Sequence, residues 1–203
     1  MFEEFLSKFH VTQEISQDTS IRFENPDLQI VISELGGKVF NNGLYRVFPA
    51  EQIEMRTREL LMQFPRAKEI AIVFGCDWEG RYFTTSLDDM IDGHATTMLV
   101  SFDTNEVFCI DRTLIDFHNL ELTGNPDASL DYPLYQEWRK TDSEPIDMNE
   151  CIGFKVPLCL GGQDTVENLG RTDLSVCRDL TAQIWVAIHD LPEGASVDQF
   201  RIE

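Results

Sequence analysis

Two carboxylates flank a tryptophan at Asp77-Trp78-Glu79, inside the stretch Glu69 to Phe83 that reads E-I-A-I-V-F-G-C-D-W-E-G-R-Y-F. Such a pair does general acid–base work when its surroundings raise the pKa of one member. In an exposed turn of an acidic chain, both are expected to stay solvated and ionised. Asp88, Asp89 and Asp92 supply the hard oxygens that a divalent cation takes. Their spacing departs from the D-x-[DN]-x-[DN]-G loop, so they read as a solvated acidic loop. His10, His94, His118 and His189 are scattered and form neither H-E-x-x-H nor H-x-H. Cys76 sits beside Asp77, and an acidic neighbour raises a thiol pKa, which argues against a nucleophile. Gly161-Gly162 is followed by Gln163-Asp164-Thr165, not by the Lys and Ser/Thr of a phosphate-binding loop. The expectation is a chain with no catalytic residue, no metal and no cofactor. It does not read as an enzyme.

The charge balance is the strongest bulk signal. The 203 residues carry 36 Asp and Glu against 16 Lys and Arg, a formal net charge of -20. Nucleic acid is disfavoured as a direct ligand because phosphate binding needs clustered cations. Anionic membranes are disfavoured by the same sign argument. An acidic surface serves solubility, or it steers a basic partner. The five cysteines, Cys76, Cys109, Cys151, Cys159 and Cys177, are odd in number and form no C-x-x-C pair. They read as reduced thiols of a cytoplasmic protein. Met1 to Phe9 is broken by Glu3, Glu4 and Lys8 and does not read as a secretory leader.

The carboxylate turn needs two strands to hold it. Ile70 to Phe74 is a short apolar run of strand length, and Arg81 to Thr85 restarts in aromatic and β-branched residues. Phe2, Phe5, Leu6 and Phe9 recur at helical spacing. Asn25 and Pro26 open a helix over 26–35 whose buried stripe is Leu28, Val31, Ile32 and Leu35, with Gly36-Gly37 ending it. Asn42-Gly43 turns the chain into a strand over 44–48, and Pro49 opens a second helix through about Phe64. The stretch 86–96 reads as an acidic loop, and 98–102 with 107–110 as another hairpin. Helices are expected over 113–120 and 132–138. Lys140 to Asn149 reads as a linker or long surface loop. Asp173 to His189 reads as a helix capped by Thr172, with Leu174, Cys177, Leu180, Ile184 and Ile188 on its inner face.

These elements point to an α+β fold: an antiparallel sheet of about five to six strands packed with helices, plus a C-terminal helical extension. Residues 1–139 are expected to form the first unit and 150–203 an extension packed on it, with one continuous domain as the alternative.

The order of a helix, E-L-G-G-K-V-F-N-N-G-L-Y-R-V, a second helix ending Phe64-Pro65 and then I-V-F-G-C-D-W-E-G-R-Y-F resembles the SUKH (Smi/Knr-like) superfamily. The downstream S-F-D-T-N-E-V-F and D-R-T-L-I-D-F-H suit it as a strand pair and a helix. The tail I-G-F-K-V-P-L-C-L-G-G-Q-D-T-V-E-N-L-G-R-T-D-L is similar to the C-terminal domain of immunity proteins that neutralise type VI secretion DNase effectors. The resemblance implies a non-enzymatic binding protein that blocks a secreted toxin, a basic nuclease-type domain being favoured. A regulatory or scaffolding module on the same fold is the alternative. First contact residues on that reading are Asp77, Glu79, Asp88, Asp89 and Asp92, and a homodimer is left open.

Overall fold

A computed structural model describes residues 1–67 and 71–190, with residues 87–89 described by their backbone alone. The helix Glu3–Lys8 (α1) forms where the phenylalanine spacing expects it, and Phe2, Phe5 and Phe9 are buried. Val11–Glu14 (β1) follows, a strand absent from the sequence reading. Pro26–Leu35 (α2) has the expected bounds. The Asn25 side chain accepts the Leu28 N–H at 3.0 Å, and Leu28, Val31, Ile32 and Leu35 are buried. Gly37 leaves the helix at φ +76°, a conformation that favours glycine.

Lys38–Phe40 (β2) and Tyr45–Val47 (β3) flank the Asn41–Gly43 turn, and Ile53–Gln63 (α3) follows Pro49. Ile72–Asp77 (β4) and Tyr82–Ile91 (β5) make the central hairpin. Gly75 does not end β4, as the sequence suggests, but lies within it. A Cβ there would meet the Arg46 carbonyl at 2.5 Å, so glycine permits the close pairing with β3. His94–Ser101 (β6) and Glu106–Thr113 (β7) complete one antiparallel sheet whose seven strands lie in chain order. The acidic loop expected over 86–96 is instead a hairpin arm. Asp92 (φ 50°) and Gly93 (φ 84°) form its two-residue turn, both in the left-handed region that a type I′ hairpin requires.

Leu114–Asp116 (α4), a π-helical turn over Phe117–Glu121 and Leu122–Gly124 (α5) run on from β7. Pro126–Leu130 (α6) and Tyr132–Trp138 (α7) precede a second, two-stranded sheet of Glu150–Phe154 (β8) and Leu169–Asp173 (β9). Leu174–Ile188 (α8) closes the described chain. The fold is α+β with a mostly antiparallel arrangement, with seven strands in the main sheet.

Register sorts the side chains. Val47, Gly75, Phe83, Leu99 and Phe108 line up across the sheet on one face. On that face Tyr45 donates its hydroxyl to His118 Nε2 at 2.9 Å, because His118 Nδ1–H is spent on the Leu114 carbonyl at 2.7 Å. Burial lowers the His118 pKa to about 4, so this ring is neutral. On the opposite face Arg46, Cys76, Tyr82, Val100 and Val107 line up. There the Tyr82 hydroxyl donates to Glu59 of α3, and Arg178 of α8 lies 4.3 Å over the Phe102 ring.

Two fully buried arginines, Arg46 and Arg56, join the tail to the main sheet and to α3. Arg46 donates to the carbonyls of Asp77, Asp147 and Glu150. Arg56 donates to Asn149 at 2.7 Å and to Ser175 at 2.8 Å. Arg171, less buried, holds Asp142 and the Pro145 carbonyl. The stretch 140–149, expected as a linker, is thus anchored throughout, and Ile146 and Met148 are buried. In α8 the cap is Asp173, not Thr172, with the Val176 N–H at 3.0 Å. The inner face is Leu174, Arg178, Thr181 and Ala182, while Leu180 and Ile184 are only half-buried. A buried arginine shifts the stripe away from the one that apolar residues alone would mark.

Candidate partner-binding face

The carboxylate turn is not exposed. Asp77 is fully buried and Glu79 is 8% exposed, so a docking partner would meet neither. Asp77 Oδ1 accepts the N–H groups of Glu79 (3.1 Å) and Arg81 (2.9 Å), and Gly80 at φ +81° closes the turn. Arg81 Nε lies 2.6 Å from Asp77 Oδ2 and 3.0 Å from Glu79 Oε2. Burial pushes the Glu79 carboxyl up to about 8; Arg81 opposes this and the Asp77 charge adds to it. The reason for the burial lies in the tail. The Ile152 N–H donates to the Trp78 carbonyl at 2.9 Å, and a Cβ on Gly80 would meet Leu174 Cδ1 at 2.8 Å. Trp78 itself packs against helices. Its Nε1–H donates to the Leu130 carbonyl at 2.8 Å and its ring stacks on Trp138.

The other candidates separate. Asp88 and Asp89 lie on β5, and their side chains fall outside the described residues. Asp92 is exposed at the tip of the β5–β6 arm. His94 ties that tip to α2 through Asp27, with Nδ1 2.9 Å from Oδ2. His10 and His189 are exposed. The five cysteines are free. The Cys151 thiol, hydrogen-bonded to Cys177, together with the Arg178 charge lowers the Cys177 pKa to about 6. Burial raises Cys76 to about 11, in the direction expected from the sequence. Among the described residues, no group of three or more His, Cys, Asp or Glu is placed to hold a metal ion.

The sequence reading missed the surface around β7. The strand has β6 on one side, ends the sheet, and exposes Val107 (48%) and Phe108 (47%) on opposite faces. Beside Val107 a groove of about 780 Å³ opens between α3, α8 and the sheet, lined by Leu60, Phe64, Met98, Val100 and Trp185 among others. The run Val107-Phe108-Cys109-Ile110 marks a strand but not its place in the sheet. Only the long-range pairing reveals that it is an edge.

Residues 116–185 match the family described as T6SS immunity protein Tdi1, C-terminal. That match spans about a third of the chain. It starts in α4, covers the tail segment whose sequence resembles type VI immunity proteins, and ends at Trp185 on α8. The chain is also similar to the crystal structure of Atu4351 from Agrobacterium tumefaciens, with a TM-score of 0.60 and 15% identity. The likeness covers 90% of this chain and 89% of that one, and at this identity it speaks for the fold. No curated protein matches the chain. None of these matches bears on the resemblance of residues 28–83 to the SUKH superfamily. No helix among the described residues is long and apolar enough to cross a membrane.

Proposed function

We propose that this protein is a type VI secretion immunity protein that binds and neutralises the toxic domain of an effector, a basic nuclease-type domain in particular. The match of residues 116–185 to an immunity family carries this reading. The net charge of -20 supports the basic character of the partner. A nuclease presents cations to phosphate, and an anionic protein covers such a surface and is steered to it. On this reading the acidic arm, Asp88, Asp89 and Asp92, faces the effector, whereas Asp77 and Glu79 hold the turn at the other end of β5.

The test co-expresses the toxic domain encoded by the neighbouring effector gene with and without this chain. Restored growth and a joint peak on a sizing column are expected. Unchanged survival with no complex would overturn the reading and favour a regulatory module without a toxin partner.

A further inference from the structure

Two thiols and a buried guanidinium meet where α8 packs against β8. Cys151 and Gly153 share one face of β8. Helix α8 seats Cys177 against that face so closely that a Cβ on Gly153 would meet Cys177 Sγ at 2.9 Å. Behind Cys151 stands the Gly80 turn, where a Cβ would lie 3.3 Å from Cys151 Sγ. The Cys151 thiol donates its hydrogen bond to Cys177. Cys151 is fully buried, whereas Cys177 is partly open to solvent, and both are free.

Arg178 decides which sulfur is the reactive one. Its guanidinium is fully buried, and Nη2 donates to Cys177 Sγ at 3.0 Å. Its Nε and Nη1 have no hydrogen-bond partner among the described residues, and Asp103, its ion-pair partner, stands off at 3.9 Å. A thiol accepts a hydrogen bond weakly, and a buried cation needs a compensating charge. Two donors converging on one sulfur therefore favour the Cys177 thiolate. They outweigh burial and the Asp103 charge, which oppose its ionisation. Burial raises the Cys76 thiol to about 11 and raises Cys159 as well, which makes both poorer nucleophiles. A partly open thiolate beside a second thiol is the arrangement that oxidants address.

We propose that Cys177 and Cys151 form a peroxide-oxidisable pair, in which Cys177 takes the oxygen and Cys151 resolves it to a disulfide between α8 and β8. The Cys177 thiolate attacks one oxygen of hydrogen peroxide. The O–O bond breaks, and the hydroxide released takes up a proton to leave as water. The Cys151 sulfur then attacks the sulfur of the Cys177 sulfenic acid. The S–S bond forms, the S–O bond breaks, and the departing hydroxide takes the Cys151 proton as a second water. Two electrons pass from the sulfurs to the peroxide, and a small dithiol such as dithiothreitol returns them. The product staples α8 to the strand whose Ile152 N–H bonds the Trp78 carbonyl. Oxidation thus fixes the tail in the arrangement that buries Asp77 and Glu79. This inference stands independently of the immunity reading.

The experiment uses the full chain. It is treated with hydrogen peroxide, remaining thiols are blocked with N-ethylmaleimide, and unreduced tryptic peptides are read by mass spectrometry. Cleavage after Lys155 and Arg171 puts the two cysteines on separate peptides, so a linked pair reports the disulfide directly. The linked pair is expected in most wild-type molecules and is expected to vanish with dithiothreitol. Cys151→Ser is expected to stop at the Cys177 sulfenic acid, captured by dimedone, and Cys177→Ser to leave Cys151 unoxidised. Circular dichroism checks that each variant folds. A transient dimedone adduct on wild-type Cys177, and none on Cys151, assigns the same roles without any variant. Peptides that stay separate once exposed Cys109 is oxidised would overturn the proposal. So would a linkage that forms only in urea, or a folded Cys177→Ser whose Cys151 is oxidised.

Discussion

Arg81 Nε lies 2.6 Å from Asp77 Oδ2, an ion pair closed within a single turn and capped by the tail. The same nitrogen reaches Glu79 Oε2 at 3.0 Å, so one guanidinium serves two buried carboxyl groups. Charges taken out of water are tolerated only while paired. Arg81→Met should therefore destabilise the protein by about 3–5 kcal/mol, the range seen when one partner of a buried pair is removed. Urea unfolding checks this. A loss within the ±0.5 kcal/mol typical of surface sites would show that water reaches the turn.

The elevated Glu79 pKa sets a pH dependence. Its folded value of about 8 lies above the ordinary glutamate value of 4.5, so between these limits the folded state holds a proton that the unfolded state has released. Stability from this group is complete below about pH 4.5 and is lost as pH rises through about 8. Glu79→Gln should flatten that decline. Thermal melts at pH 6 and 9 check it, and equal slopes for wild type and variant would refute it.

His118 works in the opposite direction. Burial lowers its pKa from 6.5 to about 4, so the unfolded chain takes up the proton first as pH falls. Its contribution is present above about pH 6.5 and lost on acidification through about pH 4. A shift of this size corresponds to about 3 kcal/mol for a fully buried group. His118→Gln keeps a neutral side chain at all pH values and should lose correspondingly less stability between pH 7 and 4. Parallel denaturation curves for the two proteins over that range would contradict the buried neutral ring.

Local signals in the sequence reached as far as local physics decides the structure. Asn25, Pro26 and the stripe Leu28, Val31, Ile32 and Leu35 determine α2 from within, so its bounds were legible. The hairpin from Ile72 to Phe83 was legible as two strands and a turn, but its burial was not, because Ile152 and Leu174 supply the cover from more than 70 residues away. β1 was missed since its residues are mostly exposed and carry no alternation. The β5–β6 arm was hidden by Asp88 and Asp89, residues depleted in strands, although Asp92-Gly93 is a strong hairpin signal. Buried arginines escape any hydrophobic pattern. Arg46, Arg56 and Arg178 look like surface cations until their carbonyl, amide and aromatic partners are in place.

The candidate contact residues divide by the same logic, and this yields a test of the interface. Asp77 and Glu79 lie inside the ion pair, whereas Asp92 projects at the tip of the β5–β6 arm with Asp88 and Asp89 on the strand leading to it. Acidic residues at such a tip act on a basic partner through long-range attraction, which raises the association rate more than it slows dissociation. Changing Asp88, Asp89 and Asp92 together to Asn removes three charges and leaves Asp77 and Glu79 in place. If the proposed immunity role holds, stopped-flow binding to the effector's toxic domain should show association slowed several-fold at low salt, with a shallower dependence on ionic strength. The dissociation rate should change little, because rim charges contribute little once the complex has formed. An association rate and salt slope equal to the wild type's would remove the arm from the interface and leave the rest of the acidic surface to do the steering.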